Sequence, residues 1–238
     1  MSYAAFQLQR LQGKLIVSCQ ALVDEELYGS EIMAKMALAA KNGGAAGIRA
    51  NSPEDIAEIR KAVQIPVIGL WKRTYSDSDI YITPTLSDAK QVAQAGASIV
   101  AMDATLRRRP GGEDLQEIVA AMKASCPCLL MADVSTVEEG VNAAEIGFDI
   151  VSTTLSGYTP YSKQTDDPDF ELVAELSKKV DIPVFAEGRI RTLEQAASLL
   201  KLGAYAIVVG AAITKPRTIT RRFADQLELI AERAVKPV

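Results

Sequence analysis

Leu202-Gly-Ala-Tyr-Ala-Ile-Val-Val-Gly210 holds the end of a helix, a glycine that stops it and an apolar run too short for a globular helix. The same punctuation recurs at Asn42-Gly-Gly-Ala-Ala-Gly-Ile48, Ala95-Gly-Ala-Ser-Ile99 and Ile146-Gly-Phe-Asp-Ile150. Alternating with these, Ile65-Pro-Val67, Cys126-Pro-Cys128 and Ile182-Pro-Val184 each open a strand with proline. The recurrence comes about every two βα units, which is the periodicity of a quarter barrel.

Working outward, eight short runs rich in Val and Ile emerge: Lys14 to Cys19, Ala46 to Ala50, Pro66 to Leu70, Ser98 to Asp103, Cys128 to Asp133, Asp149 to Thr153, Pro183 to Glu187 and Ala204 to Gly210. None alternates with polar residues, so both faces must be covered, as in a parallel sheet wrapped by helices. Helix starts lie between the runs. Ser52-Pro53-Glu54-Asp55 combines a capping hydroxyl, proline at the first helical position and acids in the first turn. Ser135 to Glu138 and Thr192 to Gln195 both fit the capping box. The first strand is followed by Asp24 to Gly29 and not by a Gly-x-Gly-x-x-Gly fingerprint, so a closed barrel is preferred to an open doubly wound sheet. The expectation is an α/β chain forming a single (β/α)8 TIM barrel over residues 1–238.

Composition narrows the chemistry. Among 238 residues there is no histidine, which excludes Ser-His-Asp and Cys-His triads and leaves proton transfer to Lys, Glu, Asp, Tyr or Cys. Lys plus Arg number 26 against 30 Asp plus Glu, so there is no basic excess to neutralise a nucleic-acid backbone. No apolar run approaches the ~18 residues of a membrane span, and Met1 to Lys14 lacks a secretory pattern, so a cytoplasmic protein is expected. Cys19, Cys126 and Cys128 sit in apolar segments and read as buried thiols; Cys126-Pro-Cys128 has the wrong spacing for a zinc knuckle.

In a barrel, a polar residue at the last position of a strand points at the mouth. That rule singles out Gln20, Arg49, Lys72, Asp103, Asp133, Thr153 or Thr154, Glu187 and Gly210. Lys72 follows the apolar Pro66 to Trp71, where a buried ammonium is a proton-transfer group or a Schiff-base nucleophile; the alternative is a solvated Lys-Arg loop shared with Arg73. Glu187 ends Val184-Phe-Ala-Glu187 in an apolar collar that raises its pKa, while a neighbouring cation lowers it. Glu187-Gly188-Arg189-Ile190 and Val208-Val-Gly-Ala-Ala-Ile213 follow the last two strands, where barrels hold phosphate on backbone amides. This makes Gly188, Arg189, Gly210 and Ala211 candidate phosphate-binding residues. Two longer polar connections, Lys72 to Thr85 and Leu155 to Asp169, occupy the same face; the second reads as a lid or as a solvated loop.

Leu15-Ile-Val-Ser-Cys-Gln-Ala21, Gly47-Ile-Arg-Ala-Asn51, Pro66-Val-Ile-Gly69 with Lys72-Arg73, Ile82-Thr-Pro-Thr85, Asp103-Ala-Thr-Leu-Arg107, Met131-Ala-Asp133, Thr153-Thr-Leu-Ser-Gly-Tyr-Thr159, Ala186-Glu-Gly188 and Val209-Gly210 with Ala212-Ile-Thr214 come in the order found in one family. From about Leu11 to Phe223, the chain resembles the N-acetylmannosamine-6-phosphate 2-epimerases of bacterial sialic-acid catabolism. The resemblance implies reversible conversion of N-acetylmannosamine 6-phosphate to N-acetylglucosamine 6-phosphate without a redox cofactor or metal, in a homodimer. It casts Lys72 as acid/base and Glu187 as its partner, with Gln20, Arg49 and Asp133 binding the sugar and Gly188, Gly210 and Lys215 the phosphate; Thr153, from its strand-end place, is added to the sugar-binding set. Lys215 stands where family members often carry arginine, and it supplies charge without a bidentate fork. The rival readings are a Schiff-base aldolase using Lys72 and a non-catalytic phosphosugar binder.

Overall fold

The computed structural model describes Phe6 and residues 8–235. Eight parallel strands, β1 (Leu15–Cys19), β2 (Gly47–Asn51), β3 (Val67–Leu70), β4 (Ile99–Asp103), β5 (Leu129–Asp133), β6 (Ile150–Ser152), β7 (Val184–Glu187) and β8 (Ala206–Val209), close in sequence order into one barrel. The helices are α1 (Ser30–Asn42), α2 (Pro53–Ala62), α3 (Leu86–Gln94), α4 (Leu115–Ser125), α5 (Val137–Glu145), α6 (Phe170–Lys179), α7 (Leu193–Lys201), the short α8 (Ala211–Thr214) and α9 (Pro216–Val235). The expected (β/α)8 TIM barrel is therefore present, with strand bounds within about two residues of those read from the sequence.

The strand period of two sorts the side chains. In β1, Ile16 points into the barrel and Val17 and Cys19 outward; in β2, Arg49 points inward and Ile48 and Ala50 outward. Ile16, Ile68, Ile99, Met131, Ile150, Phe185 and Val208 fill the interior. A second apolar layer, including Ile48, Ile56, Val92, Val100 and Leu176, lies between strands and helices. Filling the lower interior with branched and aromatic groups leaves the top open for polar side chains.

Caps set the helix starts. Ser52 accepts from the Asp55 amide, and Thr85, Thr136 and Thr192 each form a reciprocal capping box. The expected Ser135–Glu138 box is displaced by one residue: Thr136 pairs with Glu139, because Glu139 is buried and also accepts from the Ser135 hydroxyl at 2.8 Å, whereas Glu138 faces solvent. All three cysteines are free, and burial pushes the Cys19 thiol up to about 12 and that of Cys128 to about 11, so both stay protonated near neutrality. No helix among the described residues is long and apolar enough to cross a membrane.

Gly69 on β3 is required for packing. A Cβ there would lie 2.7 Å from Ala97 Cβ and Ile56 Cδ1 and 2.8 Å from Val92 Cγ1. Gly69→Ala is expected to lower stability by about 1–3 kcal/mol through overpacking, measured by urea unfolding.

Candidate active site

The C-terminal ends of the strands enclose a cavity of about 380 Å³. Its wall contains Gln20, Arg49, Lys72, Glu187, Gly188, Arg189, Gly210, Ala211 and Lys215 from the sequence-derived set. Lys72 and Glu187 therefore share one chamber, delivered there from β3 and β7.

At its base lies an ion cluster. Arg49, only 1% exposed, places its two terminal nitrogens 3.1 and 2.6 Å from the Asp133 carboxylate oxygens and Nη1 3.1 Å from Glu187 Oε2. The cation expected beside Glu187 is thus Arg49. The Thr154 hydroxyl stands 2.7 Å from Asp133 Oδ1 and 3.1 Å from Glu187 Oε2, so its single proton serves one carboxylate at a time. Gln20 donates to Ser18 Oγ at 2.9 Å and keeps a buried oxygen without a partner among the described residues.

Burial and neighbouring charges move both groups from their ordinary values. Burial lowers the Lys72 pKa, and the Arg49 charge lowers it further, against a smaller opposing effect of Glu187. Burial raises the Glu187 pKa with help from Asp133, while Arg49 and then Thr154 and Lys72 restrain the rise. The amine thus yields its proton more readily, and the carboxyl keeps its own longer, than either does in water.

Four sequence-derived positions lie differently from the expectation. Asp133, expected at the sugar, is fully buried beneath the cavity and does not line it, its oxygens taken by Arg49 and Thr154. Thr153 turns out of the barrel: its hydroxyl donates to the Glu187 carbonyl at 2.9 Å and accepts from the Glu187 amide at 3.1 Å, so it braces the backbone while Thr154 faces the cavity. Strand alternation from Ile150 through Ser152 would have chosen Thr154. Asp103 is held by Thr105 and by Arg107 at 2.7 Å and does not line the cavity. Arg189 reaches the wall but spends its guanidinium on the carbonyls of Ser156, at 2.6 Å, and Asp167, at 2.9 Å. The Gly188 φ of 109° before it needs a residue without Cβ.

Those arginine bonds also settle the connection at residues 155–169. Thr159 donates to Ser135 at 3.0 Å, Tyr161 to Glu139 at 2.6 Å and Ser156 to Asp169 at 2.7 Å. The segment is pinned at these points, while Tyr158, Tyr161 and Lys163 are exposed and Tyr158 lines the cavity. On the opposite side Lys215 pairs with Glu25. Glu25, Tyr81 and Arg222 also line the cavity. No spacing rule announced them, since each comes from a connection or helix brought in only by barrel closure.

A family model described as "Putative N-acetylmannosamine-6-phosphate epimerase" (NanE) matches residues 33–229. A Clostridium perfringens protein named as the corresponding 2-epimerase is 54% identical over 221 residues, 93% of this chain and 100% of the relative. A namesake from Listeria monocytogenes is 46% identical over 228 residues, covering 94% of this chain and 96% of its own length. The solved N-acetylmannosamine-6-phosphate 2-epimerase of C. perfringens superposes with a TM-score of 0.90 at 54% identity, over 92% of this chain and 95% of that one. With fold, strand-end residues and near full-length identity in agreement, the chain belongs to the N-acetylmannosamine-6-phosphate epimerase family.

Proposed function

We propose that this chain interconverts N-acetylmannosamine 6-phosphate and N-acetylglucosamine 6-phosphate by removing and returning the proton on carbon 2. The observation that carries the reading is the shared chamber of Lys72 and Glu187, with pKa values moved toward each other above an Arg49–Asp133 base. In the open-chain sugar, carbon 2 adjoins the carbon 1 aldehyde. Neutral Lys72 takes the proton, and the C–H electron pair becomes the enolate π bond with charge on the carbon 1 oxygen. A proton delivered to the other face inverts the centre. Glu187 is assigned as the acid on that face, and Thr154 relays its charge state to Asp133.

The phosphate is assigned to the loops at Gly188, Gly210 and Ala211, with Lys215 supplying charge. Gln20 is assigned to the sugar hydroxyls, because its unpartnered buried oxygen is an acceptor. Arg189, already committed to two carbonyls, is left out of the phosphate contact. A cytoplasmic setting accords with three free thiols.

The same reading includes a homodimer. From Thr220 to Glu232 every α9 side chain is exposed, yet Phe223, Leu227 and Ile230 form an apolar stripe at helical spacing. A second copy is the occupant proposed, and light scattering should give twice the chain mass; a monomer would refute it.

Proton NMR of N-acetylmannosamine 6-phosphate with the enzyme in heavy water tests the reaction. Solvent deuterium should enter at carbon 2 as the N-acetylglucosamine isomer forms. A lysine adduct trapped by borohydride would instead support the aldolase.

A further inference from the structure

We infer that Tyr81 is a further catalytic residue, its phenol donating a hydrogen bond to the carbon 1 oxygen as charge develops there during deprotonation. This rests on the epimerase reading and deepens it.

Tyr81 lies on the β3–α3 connection, and that connection is anchored to the segment carrying Lys72. Lys72 and Ile82 form an antiparallel bridge, the Arg73 amide donates to the Tyr81 carbonyl at 2.9 Å, and the Thr83 amide donates to the Trp71 carbonyl at 2.8 Å. The far end is fastened to the barrel by Thr83 Oγ1 on the Ala101 carbonyl at 2.7 Å and by the Asp103 amide on the Ile82 carbonyl at 2.9 Å. The ring is half-buried against the inner apolar cluster and lines the cavity. Its position relative to the Lys72 segment is therefore set by backbone pairing.

The hydroxyl is unclaimed. The hydroxyls of Tyr75, Tyr161 and Tyr205 bond to Asp88, Glu139 and the Leu8 carbonyl. Tyr81 has no such bond among the described residues, although it faces the chamber and senses the charges of Asp133, Asp103 and Arg49. Burial and the two acids push its pKa up to about 12, so the group stays a neutral donor.

Elimination points the same way. An enolate oxyanion needs a preorganised donor. Arg49 is engaged by Asp133 and Glu187, the Thr154 proton serves a carboxylate, Gln20 donates to Ser18, and Lys72 must be neutral to act as base. Of the cavity-lining donors these assignments leave free, which include the Tyr158 phenol and Arg222, the Tyr81 phenol is the one whose backbone is paired with the segment carrying Lys72.

Tyr81→Phe preserves the packed ring and removes only the donor. In the heavy-water assay its kcat should fall about 10²–10³-fold with KM changed less than about threefold and the melting temperature unchanged. A raised KM at wild-type kcat would mean a ground-state contact and overturn the inference. Unchanged kinetics would overturn it too, while leaving the epimerase reading intact if wild-type enzyme exchanges carbon 2. A wild-type enzyme that exchanges nothing would instead bring down the epimerase reading, and this inference with it.

Discussion

Lys72→Ala should fold normally and exchange the carbon 2 hydrogen about 10²–10⁴-fold more slowly than wild type, the range expected for loss of a positioned general base. The side chain makes no ion pair among the described residues, and its neighbours Arg49 and Lys215 both oppose its charge. Removing an ammonium from that surrounding costs little stability, so the loss should appear in kcat without a change in melting temperature. The pH profile gives an independent check. Because a free Lys72 amine and a protonated Glu187 are both required, the wild-type rate should follow a bell in pH, narrowed by a lysine pKa lowered from its ordinary value and a carboxyl pKa raised from its own. Deuterium exchange at the wild-type rate in Lys72→Ala would refute the assignment.

Arg49→Met should have the largest effect on stability, about 3–5 kcal/mol, because it strands two carboxylates that share one cation. Asp133 is fully buried and Glu187 is 15% exposed, so water cannot replace the guanidinium. The sign with pH follows. Without Arg49, Glu187, whose pKa burial already raises, loses the cation that most restrains the rise, so its carboxyl ionises first in the unfolded chain. The part of the deficit due to Glu187 is therefore present at neutral pH and shrinks as pH falls and that carboxyl protonates in both states. Urea unfolding at pH 7 and pH 5 measures both quantities; equal stability of variant and wild type at pH 7 would refute the claim. This makes Arg49 a structural centre of the site as well as a candidate sugar contact.

Much of this architecture was legible in the chain because its determinants are local. Glycine after a helix, proline before a strand and runs of Val and Ile specify βα units within a dozen residues, and the absence of histidine limits the acid–base chemistry outright. Strand ends could likewise be read as mouth positions, which placed Lys72, Glu187, Arg49 and Gln20 before any fold was known. Finer choices failed where local patterns were degenerate. Ser135–Glu138 and Thr136–Glu139 both fit a capping box, and only the burial of Glu139 selects the second. Thr153 and Thr154 both end a strand, and the alternation running in from Ile150, not followed to its last residue, sends the first to the Glu187 backbone and the second to the cavity. What the tertiary structure alone decided is which charges meet. Arg49 finds Asp133 across 84 residues and Lys215 finds Glu25 across 190, pairings set by barrel closure. A carboxylate's pKa depends on the cations and the burial around it, and those neighbours exist only after the first strand has met the eighth.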